Sequence, residues 1–97
     1  MMSEKIRSLR KNFNISQVEL ASKLGVTKQC ISNWEYDNIL PSIDMLVKIA
    51  KFFNVSTDFL LGLSDSKTID VYGLNDEEIA HIKLFIKDLK AAKNRIS

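Results

Sequence analysis

The sequence predicts an all-α protein, and three observations carry that prediction. Five residues suited to capping a helix N-terminus (Ser16, Thr27, Ser42, Ser56 and Asn75) each stand directly before a stretch with helical apolar spacing. Around four of them an apolar residue precedes the cap and another follows four positions later. The pairs are Ile15 and Leu20, Val26 and Ile31, Val55 and Leu60, and Leu74 and Ile79, each able to staple the entering chain to the first turn. No stretch alternates apolar and polar residues long enough to argue a strand, apart from a weak candidate in TIDVYG at 68–73.

Taken in order, helix 1 is expected over 4–12, with Ser3 as a weak cap. Helix 2 follows over 17–24, where Ser16 and Glu19 form a capping box. Helix 3 is expected over 28–36 behind Thr27, and helix 4 over 43–53 behind Ser42, with Pro41 in place of a larger staple. Helix 5, over 57–61 behind Ser56, ends at Gly62, so residues 1–63 make one domain. LSDSKTIDVYG is polar and turn-prone, and residues 64–74 therefore read as a linker. The segment 75–97 reads as a C-terminal helix, over 76–94. Asp76, Glu77 and Glu78 lie in its first turn and Lys87, Lys90, Lys93 and Arg95 toward its end, an arrangement that suits the helix dipole.

Composition narrows the function. At 97 residues, with 45% hydrophobic and 27% charged residues, the chain fits one small globular domain and not two. Its apolar runs are too short to span a bilayer, and MMSEKIRSLR lacks the apolar core of a signal peptide. The single cysteine, Cys30, has no partner for a disulfide, so a cytoplasmic location is expected. His81 has no ligand-type partner at metal-binding spacing. No paired carboxylates, nucleophile constellation or glycine-rich phosphate loop occurs either, so no enzyme, metal or cofactor is expected. A net charge of +2 does not by itself point to nucleic acid. Residues 1–63 hold eight Lys/Arg against six Asp/Glu, and any binding face must come from local clustering.

The most informative stretch is QVELASKLGVTKQCISNWEY, residues 17–36. Gly25 can take a left-handed backbone and stop helix 2, and Thr27 caps the next helix two residues later. Helices joined this tightly must cross at a large angle. Ala21 lets them approach, and Leu20, Leu24, Val26, Ile31 and Trp34 fall on the inner faces. Lys28, Gln29, Ser32 and Asn33 then face outward on helix 3, with side chains able to hydrogen-bond base edges.

These residues resemble the phage repressor and Cro-type helix-turn-helix family of XRE-like regulators. The likeness runs over roughly residues 3–62 and includes PSIDMLVKIAKFFNVSTDFLLG as the fourth and fifth helices. It implies a five-helix lambda-repressor-like domain, followed here by the C-terminal helix. It also implies a transcriptional regulator, most simply a repressor, that binds double-stranded DNA in a sequence-specific way. Gln17 would contact a phosphate. Lys28, Gln29 and Asn33 would reach base edges, and Thr27 and Ser32 would serve bases or phosphates. The loop from Tyr36 to Asn38 would approach the second strand, and Arg10 and Glu35 would tie helix 1 to helix 3. Where the family often has a basic loop, this chain has Asp37 and no Lys or Arg between 29 and 47, so weak non-specific binding is expected.

Two further features concern partners. Helix 4 carries one stripe of Ile43, Leu46, Val47, Ala50 and Phe53 and a second of Met45, Ile49 and Phe52, so both sides call for cover. Helix 6 carries Ile79, Ile82, Phe85, Ile86 and Leu89 along one side, extended by Ile96. Homodimerisation through this face on a palindromic operator is expected, with folding back onto Met45, Ile49 and Phe52 as the alternative. There is no room for a separate ligand-binding domain, so control is expected through a regulatory protein partner, proteolysis or the C-terminal region. The rival reading is an antitoxin-like or adaptor protein whose main partner is another protein.

Overall fold

A computed structural model describes residues 1–65 and 68–96, with side chains through Asn94. Ser66 and Lys67 of the expected linker, and the side chain of Ile96, lie outside the described residues. Among the described residues six helices follow one another: α1 (Met2–Asn12), α2 (Gln17–Leu24), α3 (Lys28–Glu35), α4 (Ile43–Phe53), α5 (Thr57–Leu61) and α6 (Asp76–Ile96). The TIDVYG segment forms no strand: residues 68–71 are irregular, and Tyr72 and Gly73 make a turn.

All five caps act as the sequence predicts. The side chains of Ser16, Thr27, Ser42, Ser56 and Asn75 accept from the backbone N–H three residues on, at 3.1, 3.1, 3.2, 3.0 and 2.8 Å. Glu19 and Glu78 reach back to the N–H of Ser16 and Asn75 and complete capping boxes. Helix α1 departs from expectation. It starts at Met2 with no side-chain cap, and Ser3 lies inside the first turn, 7% exposed. Ser3 stands one turn before Ile6 on the same inward face, where a small side chain fits.

The helix ends follow a rule that the sequence reading caught only at glycine. Asn14, Gly25, Asp37, Asn54 and Gly62 all have positive φ, between 55° and 77°. After each, the next N–H returns five residues, as from Val26 to the Ala21 carbonyl or from Val55 to that of Ala50. This is the Schellman arrangement, and it gives the orphan carbonyls of each last turn a partner. Three of the five left-handed residues are Asn or Asp, whose short polar side chains tolerate that conformation best after glycine.

Each of α1 to α5 sends one wholly enclosed aliphatic side chain into a common core: Ile6, Leu20, Ile31, Ile49 and Leu60. Burial of such a group is worth roughly 1.5–3 kcal/mol. Ala21, Leu24, Trp34, Leu46, Ala50 and Phe53 complete the cluster. Phe13, Phe52 and Phe53 gather at one end in edge-to-face and tilted contacts, with ring centroids 4.9, 5.0 and 6.1 Å apart. Helix α1 packs on α3 and α5, α2 on α3 and α4, and α4 on α5.

The two stripes expected on α4 are redrawn by this packing. Leu46, Ile49, Ala50 and Phe53 form a single buried face at i, i+3, i+4 and i+7, with Met45 and Phe52 half-buried at its edges. Ile43 and Val47 lie outside it, 81% and 38% exposed. Met45, Ile49 and Phe52 are thus packed within the domain's own core cluster. No described α6 residue belongs to that cluster, and Ile79 and Ile82 near the start of α6 are half-buried.

Candidate nucleic-acid interface

The α2–α3 turn is built as its sequence requires. Gly25 ends α2 at φ 73° and ψ 33°. Nothing lies within 4 Å of where a Cβ would be, so backbone conformation rather than crowding selects glycine there. Ala21 is 4% exposed against the neighbouring elements. A contact not anticipated from the sequence braces the turn from the other side. Lys48 Nζ, on α4, donates to the Leu24 carbonyl at 3.2 Å. It thereby places a cation at the negative end of α2.

A second anchor fixes α3 from beneath. Arg10 Nε donates to Glu35 Oε2 at 2.7 Å and Nη2 to Oε1 at 3.1 Å. The two side chains are 12% and 1% exposed. This is a two-point, charge-assisted pair with fixed geometry. Arg10 Nη1 also holds the Ile15 carbonyl at 2.9 Å, before α2. One side chain therefore ties α1 to the end of α3 and to the start of α2. Donating hydrogen bonds to the Glu35 carboxylate holds the Arg10 guanidinium pKa above its ordinary range. Burial opposes this and the negative charge of Glu35 adds to the rise, so the cation persists at any working pH.

Gln17 joins this network. Its Nε2 donates to Glu35 Oε1 at 3.2 Å. That bond commits one of its two amide hydrogens. The other hydrogen and the oxygen remain for a ligand at the N-terminus of α2, where the residue is half-buried. The sequence reading assigned Gln17 only a phosphate contact and missed this internal bond. The signal for it was the neighbouring Arg10–Glu35 pair, because a buried carboxylate has acceptor sites beyond those that one guanidinium fills.

On the outer side of α3, Lys28 and Gln29 are exposed, while Ser32 and Asn33 are half-buried. Gln29 Nε2 donates to Asn33 Oδ1 at 3.1 Å. Such an i, i+4 bridge orients both amides. The Oε1 of Gln29 and the Nδ2 of Asn33 are left to face outward, an acceptor and a donor side by side. Thr27 uses its oxygen as acceptor for the Cys30 N–H, and its hydroxyl hydrogen is still available to donate. Tyr36 is 62% exposed, and Asn38 follows the left-handed Asp37, with its N–H bound to the Asn33 carbonyl at 2.9 Å. The loop 36–38 is therefore fixed to the same helix that carries the outward amides. Lys28, Gln29, Asn33, Tyr36 and Asn38 lie along α3 and its exit, while Gln17 stands at the start of α2 and is bonded to Glu35 at the end of α3.

Comparison with known proteins places this arrangement. A regulator of Bacillus subtilis, the HTH-type transcriptional regulator YobD, is 35% identical over 65 residues, covering 67% of this chain and 58% of its own length. A crystal structure of the P22 c2 repressor protein in complex with synthetic operator 9T superimposes with a TM-score of 0.60 at 35% identity. It covers 62% of this chain and 91% of that one. A structure of the SinR protein/SinI protein complex gives a TM-score of 0.60 at 27% identity, over 94% of this chain and 99% of that one. The chain spans about half the length, or less, of several curated relatives that it matches. The helix-turn-helix family profile matches residues 6–60, which is more than half of the chain and takes in the whole core built by α1 to α5, and the protein belongs to that family.

Proposed function

We propose that the protein is a sequence-specific, double-stranded DNA-binding transcriptional regulator of repressor type, non-enzymatic and cytoplasmic, acting as a homodimer on a palindromic operator. The observation that carries this reading is the ordered Gln29–Asn33 pair on the outer face of α3, a helix held from behind by Arg10–Glu35 and preceded by a turn that Lys48 braces. An α-helix fits the major groove, and an amide with one free acceptor and one free donor matches the edge of adenine. The P22 c2 repressor, solved in complex with a synthetic operator, supports DNA as the partner.

In this reading Lys28, Gln29 and Asn33 read base edges. Gln17, Thr27, Ser32, Tyr36 and Asn38 hold phosphates and set register. The chain has no basic residue between 29 and 47, so few phosphates are neutralised by charged side chains, and the salt dependence of binding should be shallow. Residues 1–63 would form the DNA-binding domain, and α6 the dimerisation element through Ile79, Ile82, Phe85, Ile86 and Leu89. A main role as a protein-docking adaptor is not favoured, because the relatives are named as transcriptional regulators. A regulatory protein partner would act in addition to DNA. Among the described residues no helix is long and apolar enough to cross a membrane.

In vitro selection of duplexes from a random pool tests the proposal. Recovery of a two-fold symmetric site, bound more tightly than random duplex, is the expected result. A pool that stays random after repeated rounds at low salt would overturn it.

A further inference from the structure

Over its middle the apolar side of α6 has little cover in the folded chain: Phe85 is 64% exposed, Leu89 48% and Ile86 39%, while Ile79 and Ile82 nearer its start are half-buried. Its spacing is that of a coiled-coil seam. Ile79, Ile82, Ile86 and Leu89 follow one another in steps of three, four and three, and Phe85 flanks the seam. Charge is graded along the same helix. Asp76, Glu77 and Glu78 occupy the first turn, and Lys83, Lys87, Lys90 and Lys93 follow with only Asp88 among them.

We propose that α6 pairs antiparallel with α6 of a second copy. The inference rests on the homodimer reading above and adds the direction and register of the pair. In the antiparallel arrangement Ile79 packs opposite Leu89 of the partner subunit, and Ile82 opposite Ile86 of the partner subunit. The acidic first turn then lies beside Lys90 and Lys93 of the partner subunit, and the two helix dipoles oppose. A parallel pair would put both acidic turns together at one end, and like charges at that distance repel. The two Phe85 rings meet near the two-fold axis. Lys83 also meets its own copy there, and its flexible stem lets the ammonium turn out to water.

The arrangement has a geometric result. Asp76 of each copy lies about 16 residues from its symmetry mate along the pair, which is roughly 24 Å at about 1.5 Å per residue. The two linkers leave at opposite ends. That suits domains whose reading helices must stand about 34 Å apart on DNA.

Cysteine cross-linking tests direction and register. In a Cys30→Ser background, Asp76→Cys and Lys90→Cys proteins are made separately, mixed and mildly oxidised, with one of them carrying a mass tag. The mixed disulfide is expected to exceed either self-linked species at least tenfold. Preferential self-linking of Asp76→Cys would show a parallel pair and overturn the proposal. Sedimentation of the same proteins separates this from the underlying reading. A dimer in which neither combination links overturns the antiparallel α6 pair and leaves the homodimer standing, whereas a monomer at high micromolar concentration overturns both. Reversal of charge in Lys90→Glu/Lys93→Glu should weaken the dimer several-fold. Adding Asp76→Lys/Glu77→Lys to the same chain should restore it, and failure of that rescue would count against the register.

Discussion

Residues 1–63 and residues 76–96 are both helical, yet they hold their apolar side chains in opposite ways. Each of the first five helices encloses one aliphatic residue completely, and their connections are closed by caps at the start and left-handed residues at the end. Helix α6 has a cap as good as any of them, but among its described residues none is buried. A capping box therefore fixes where a helix begins and contributes nothing to what covers it. Local signals and burial are separate requirements, and α6 meets only the first within one chain.

Substitutions can break this contrast. The largest loss is expected for Glu35→Ala, which removes the buried carboxylate and leaves the half-buried Arg10 charge without its partner. Removing one member of such a pair costs about 3–5 kcal/mol, and denaturant unfolding should show it. Ile49→Ala, at a site with no exposure, should cost about 2–5 kcal/mol by the same measurement. Gln29→Ala should leave folding intact and reduce the preference for cognate over random duplex, by about 1–3 kcal/mol. Equal loss on both duplexes would show that Gln29 does not read bases. Asn54→Ala meets the left-handed penalty of about 1–2 kcal/mol, whereas Asn54→Gly should escape it. Both variants should speed hydrogen exchange at the Asp70 N–H, which Asn54 Oδ1 holds at 2.8 Å. The smallest effect belongs to α6. Phe85→Ala should change unfolding of the dilute, monomeric chain by no more than about 0.5 kcal/mol, and an effect as large as that of Ile49→Ala would place Phe85 in the intramolecular core.

The comparison also marks what was legible in the sequence. Helix starts were readable wherever a Ser, Thr or Asn carried the signal, and the start of α1 was misread because its end has no side-chain cap. The ends of α1 to α5 were placed within a residue, but the left-handed residue that closes each was recognised only at Gly25 and Gly62 and not at Asn14, Asp37 or Asn54. A pattern was nevertheless present: Asn14-Ile15-Ser16, Gly25-Val26-Thr27 and Asn54-Val55-Ser56 each place a left-handed residue, an apolar residue and a cap in succession. On α4, periodicity predicted an apolar helix correctly but divided its faces wrongly, because the five-helix core decides which side is inner. At the candidate interface, helical spacing indicated which α3 residues point outward. It could not show the Gln29–Asn33 bridge, the Gln17–Glu35 bond or the Lys48 contact with α2. Long polar side chains choose partners from tertiary neighbours, and sequence spacing does not name those.

The bond between Asn54 and Asp70 has a consequence for reach. The Asn54 side chain accepts from the Asp70 N–H and donates to the Asp70 carbonyl at 3.2 Å, so it grips the chain after α5 as a neighbouring strand would. Asp70 in turn accepts from the Tyr72 N–H at 2.9 Å and tightens the following turn. The free tether to α6 then begins at Asp70, not at Gly62. About six steps of chain to Asp76 reach at most roughly 20 Å when extended, against roughly 50 Å from Gly62. A short leash confines α6 to a small volume beside α4 and raises its local concentration at whatever it meets there. Two copies joined through α6 would then tolerate only a narrow range of half-site separations, and opening the Asn54 clasp would widen that range without touching the reading helix.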